Sequence, residues 1–170
     1  TYKMLVADST YDFLTESNPY FGVNPALNTA IFTGFKQIDS LNDFILHPNV
    51  FIQDLKITLA PPAMVRPGFS ATYMISCENK GTVPVPAQIY FRLYPNISYV
   101  SSTSIPILLT SDSVMWDIGG IVPGQSKIMS VTVKLDTSIQ VGSILNSYAR
   151  ALPIVTDYAP SDNNATWESI

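Results

Sequence analysis

The sequence predicts an all-β fold, an immunoglobulin-like antiparallel β-sandwich, and three observations carry that reading. Two Pro-Gly pairs, at residues 67–68 and 123–124, each precede a run of alternating apolar and polar residues. That is the signature of a strand entered from a tight turn. Thirteen prolines and eight glycines in 170 residues interrupt the chain too often for long helices. No long stretch places apolar side chains at i, i+3, i+4 and i+7, whereas short strand-like runs recur at the rhythm of a sandwich.

Taken in order, the chain divides into two zones. Residues 1–48 hold a strand pattern at 2–6, a turn-rich stretch at 16–20, a weaker strand pattern at 29–37 and a short helical turn at 39–43. This is too little to enclose a core alone. The zone reads as the C-terminal strands of a preceding β module or as an N-terminal extension packed on the main domain. The chain begins mid-pattern, as a piece of a longer protein would.

Residues 49–170 form the sandwich. Its expected strands are 50–59, 69–78, 87–93, 97–102, 114–118, 126–135, 143–152 and 165–170, with turn residues between them. Alternation sets the faces. Phe69, Ala71, Tyr73, Ile75 and Cys77 share one side of their strand; Met129, Val131, Val133 and Leu135 share one side of theirs. Trp116, between Val114 and Ile118, is the strongest single core anchor, provided its indole N–H finds an acceptor. Gly81 is expected at positive φ in the Asn79–Gly81 turn. Pro84 and Pro86, flanking Val85, demote the entry of the strand they open to an edge or a bulge, because proline cannot donate to a ladder, and residues 85–94 are a candidate edge strand.

Composition narrows the function. Charged residues make up 13%, about half the usual ~25%. Net charge is −4 with no basic cluster, which argues against nucleic acid and anionic membrane as partners. No window reaches the ~20 apolar residues of a membrane span. The single cysteine, Cys77, excludes an internal disulfide and reads as a small buried strand residue. A catalytic thiolate needs a base, and the only histidine, His47, stands beside a proline in a predicted loop.

An ordered motif series then emerges. RPGFSATY at 66–73 is followed by ENKGT at 78–82, WDIGGIVPGQS at 116–126 and DYAPSDN at 157–163. This series resembles the Ig-like conserved-repeat modules of large secreted and cell-surface Bacteroidetes proteins associated with type IX secretion. The resemblance covers about residue 50 to residue 170. The first zone resembles, more loosely, the last strands of the prealbumin-like modules that precede such repeats. What the resemblance implies is a non-enzymatic spacer, stalk or adhesion module, extracellular or at the cell surface. Its partners would be neighbouring modules of the same chain, and secretion proteins, surface proteins or glycans. No catalytic residue and no organic cofactor follows from it.

Candidate sites remain. Asp157, Asp162 and Asn163, with Asn164 beside them, supply the oxygens that calcium prefers. The competing reading is an Asx-rich turn whose side chains accept backbone N–H groups. Tyr90, Tyr94 and Tyr99 are candidates for an aromatic face binding glycan or protein, the alternative function to a spacer. Ser9, Ser40 and Ser113 stand in the triplets Asp8-Ser-Thr10, Asp39-Ser-Leu41 and Asp112-Ser-Val114, which the family resemblance marks for O-glycosylation. Hydrolase chemistry lacks support: there is no Gly-x-Ser-x-Gly elbow, and the three glutamates, Glu16, Glu78 and Glu168, mark no cleft pair.

Overall fold

A computed structural model describes residues 5–34, 36–40, 42–49, 51–62 and 65–169, and the statements below concern these. The chain forms two compact units, Thr1–Val50 and Phe51–Ile170. In the first, β1 (Thr10–Phe13), β2 (Phe21–Asn24), β3 (Asn28–Ile31) and β4 (Ile45–Pro48) make two antiparallel ribbons, β1 with β3 and β2 with β4. Ala30 is the one apolar side chain described as buried there, as expected of ribbons too small to enclose a core. The strand pattern at 2–6 falls mostly outside the described residues. The pattern at 29–37 survives only in β3, because Gln37 Oε1 accepts the N–H groups of Thr33 (2.7 Å) and Gly34 (3.2 Å) and closes a turn instead. The helical turn expected at 39–43 is absent from its described residues.

The second unit contains β5 (Leu55–Ala60), β6 (Ser70–Asn79), β7 (Val85–Arg92), β8 (Ile97–Ser102), β9 (Leu108–Leu109), β10 (Ser113–Ile121), β11 (Ser126–Leu135), β12 (Leu145–Leu152) and β13 (Asn164–Ser169). They form a five-stranded sheet, β13-β12-β7-β10-β9, and a four-stranded sheet, β5-β6-β11-β8, with every pairing antiparallel. Strict period-2 alternation turns Ala71, Tyr73, Ile75 and Cys77 of β6 and Met129, Val131, Val133 and Leu135 of β11 inward. Their counterparts on the facing sheet are Val85, Ala87, Ile89 and Phe91 of β7, and Ala149 and Ala151 of β12. Phe69 departs from its predicted side and is 64% exposed. Its N–H closes the preceding turn onto Arg66 O (3.1 Å), so it precedes the pleat that Ser70 begins.

Trp116 is fully buried, and its Nε1–H donates to Ser102 Oγ at 2.9 Å, linking β10 of one sheet to β8 of the other. Both Pro-Gly turns close as type II turns. Gly68 (φ 80°) and Gly124 (φ 73°) sit third, with N–H···O bonds from Phe69 to Arg66 and from Gln125 to Val122, each 3.1 Å.

Two local expectations are corrected. Gly81 is not among the residues at positive φ. Glycine is required there for space, because an added Cβ would lie 2.3 Å from Ile52 O and 2.9 Å from Asp54 N. And β7 is central rather than an edge strand, lying between β12 and β10. The entry alone is as expected: β12 pairs only with Gln88 to Arg92, leaving residues 85–87, with Pro86 among them, free of that ladder. The register shift opposite them lies between Asp117 and Gly119 of β10.

Candidate functional site

The loop between β12 and β13, residues 153–163, folds against the start of β5. Gln53 forms a parallel bridge with Asp157. Tyr158 N–H donates to Gln53 O (2.8 Å) and Ile57 N–H to Asp162 O (3.0 Å). Asp157 is held as an Asx turn: Oδ1 accepts from Ala159 N–H (3.0 Å), and Oδ2 accepts from Leu55 N–H (2.8 Å) and Asn163 Nδ2 (3.1 Å).

This folding brings Asp54, Asp157 and Asp162 together, one carboxylate oxygen of each lying within 4.8 Å of the others. Asp54 is fully buried. Lys80 Nζ stands 3.8 Å from Asp162 Oδ2. Burial raises the Asp162 carboxyl above its ordinary value, and the neighbouring Asp54 charge adds to this while Lys80 opposes it. Asn163 is fully buried; its Nδ2 donates to Asp157 and, at 3.5 Å, to Pro153 O. Asn163 Oδ1 and Asp162 Oδ1 are both buried and accept no hydrogen bond. Sequence reasoning found Asp157, Asp162 and Asn163 but missed Asp54. An aspartate before an alternating strand looks like any surface carboxylate until a partner 102 residues away folds onto its neighbour Leu55.

The other candidates disperse. Tyr90, on the outer face of β7, meets Tyr148 edge-on at 6.3 Å. Tyr94 lies under the Arg92 guanidinium, 5.0 Å from ring centre to Cζ. Tyr99 belongs to the other sheet, packs on the core and shares a hydrogen bond with Ser102 Oγ (2.8 Å). The three therefore do not form one surface. Ser9 and Ser40 are exposed. Ser113 is buried, and its hydroxyl engages Thr110 Oγ1 (2.8 Å) and Asp112 Oδ1 (3.1 Å). Burial, then the Asp157 charge, pushes the Cys77 thiol up to about 12, which keeps it protonated and a poor nucleophile. His47 is exposed on β4. An open cleft of about 360 Å³ is lined by Tyr94, Asn146, Ser147, Thr166, Trp167 and Glu168. Glu168 is its only carboxylate, so it offers no acid–base pair.

No family model matches the chain. No curated protein matches it either. Among solved structures, the solution NMR structure of the CARDB domain of PF1109 from Pyrococcus furiosus aligns with a TM-score of 0.50 at 16% identity, covering 69% of this chain and 93% of that one. The chain shares the fold of a CARDB domain. A crystal structure of the same PF1109 domain, described as in complex with di-metal ions, gives a TM-score of 0.48 at 17% identity, with coverage of 69% and 86%. AvmM, described as catalysing macrocyclization in alchivemycin A biosynthesis, gives 0.39 at 10% identity, with coverage of 67% and 86%. The likeness to the CARDB domain is one of fold, and it agrees with an Ig-like all-β module.

Proposed function

We propose that this chain is a non-catalytic spacer and adhesion module of a secreted or cell-surface bacterial protein, joined in series to neighbouring modules of the same chain. The observation that carries this reading is where the chain enters and leaves the sandwich. It enters β5 at the pole where Gln53 meets Asp157. The last strand, β13, starts from the loop at that same pole, since Asn163 O accepts from Ala151 N–H (2.9 Å) at the end of β12. β13 then runs six residues away from it, about 20 Å at strand rise. Entry and exit at opposite poles let modules follow one another in a line. The finer assignment, to type IX secretion-associated proteins of Bacteroidetes, is supported by the ordered motif series between Arg66 and Asn163.

Small-angle X-ray scattering on two copies of the chain joined in series tests the spacer reading. The maximum dimension is expected to be roughly double that of one copy, as for domains in a semi-rigid row. A compact, side-by-side envelope would overturn it.

A further inference from the structure

We propose that Asp54, Asp157, Asp162 and Asn163 form a calcium site that pins the 153–163 loop to the start of β5. Calcium holds oxygens at about 2.3–2.6 Å, so ligands facing each other across it stand about 4.6–5.2 Å apart. The three carboxylate oxygens lie within 4.8 Å of one another, a span that one such ion fills. Carboxylates at that separation repel one another when ionised. Lys80 meets only the outer carboxylate, Asp162, at 3.8 Å with both side chains partly solvated, where such pairs contribute little.

The independent sign of a ligand is Asn163. It is fully buried against Asp157, yet its amide oxygen accepts no hydrogen bond. Buried acceptors without a donor are rare in folded proteins. Amide carbonyl oxygens are ordinary calcium ligands. Asp162 Oδ1 is buried and unpartnered in the same way. Asp157 already accepts three hydrogen bonds, but a carboxylate offers about four acceptor positions, so a lone pair remains. A single hard cation answers the repulsion and the orphaned oxygens together. Lys80 then acts as the counter-ion of the cation-free state, released from Asp162 when calcium enters. The inference does not depend on the spacer reading, since the ion would hold the loop whatever the module does.

The test uses the full chain, stripped with a chelator and dialysed. Titration calorimetry with calcium chloride is expected to show one site with Kd on the order of 10⁻⁴–10⁻³ M, the range of extracellular modules. Saturating calcium should raise the unfolding temperature by about 5 °C or more. Asp162→Asn, at a partly exposed position, should fold and weaken calcium by about tenfold or more, and Lys80→Met should tighten it. Absence of both heat and a thermal shift in the natural chain at about 10 mM calcium would overturn the site. So would unchanged affinity in both Asp162→Asn and Asp54→Asn. An equal response to magnesium would overturn the choice of calcium, and no tightening in Lys80→Met would overturn the role given to Lys80.

Discussion

Asn79 and Gly81 make a tight junction at the end of β6. The fully buried Asn79 side chain donates to Val83 O (2.8 Å) and Ile121 O (2.7 Å) and accepts from Gly81 N–H (2.9 Å). Gly81 in turn leaves no room for a Cβ beside Ile52 O. Gly81→Ala must therefore shift backbone, and denaturant unfolding is expected to show a loss of about 2 kcal/mol or more. A loss under about 0.5 kcal/mol would mean that the strand entry yields freely. Asp112 contributes to the acid response. Its carboxyl is lowered from 3.8, first by the Thr110 hydroxyl (2.6 Å) and then by Ser113 (3.1 Å). A depressed folded value contributes stability that is present above the unfolded value and is lost as pH falls through the folded one. As pH falls through and below the ordinary carboxylate range, the natural chain should lose stability more steeply than Asp112→Asn; parallel curves from acid denaturation would contradict this. Trp116 was legible at this scale because a large aromatic within an alternating run has few places to go but inward. Its acceptor, Ser102, was not, because nothing in the sequence places residue 102 across the sandwich.

At the scale of elements, the turns and the long strands were the most legible parts. β8 and β11 occupy the predicted residues, and β6 is offset by one at each end. Alternation and turn chemistry are local properties, carried by neighbours in the chain. Gly68 and Gly124 hold left-handed conformations that L-residues adopt at a cost of about 1–2 kcal/mol. Gly68→Ala and Gly124→Ala should each lower stability by about that much, whereas Gly120→Ala, with open space around it and no positive φ, should be nearly neutral. Equal effects at all three, measured by thermal or denaturant unfolding, would contradict the turn assignment. The two-residue β9 carries too few side chains to show a period, and it exists because Leu108 and Leu109 pair with Met115 and Val114 of β10. The misplacement of β7 had a similar cause. Proline reports an unused hydrogen-bonding side, and that side is unused only where β12 has ended.

For the whole molecule, the sequence alone determined that the chain is all-β, where most sandwich strands lie and which faces they bury. It also named three of the four residues of the candidate calcium site. Periodicity, turn conformation and the oxygen-rich loop are written within short windows. Which strands are neighbours was set by packing across the sandwich. β6 joins β11, with Thr72 and Thr132 hydrogen-bonded at 2.9 Å across 60 residues, while its sequence neighbour β7 goes to the other sheet. The same step buried Asp54 and set it against Asp157 and Asp162. Contacts of that range are selected by how two apolar faces close over one another, against the entropy of closing long loops. No short window of sequence contains that balance, so the site became visible only once the sandwich had closed.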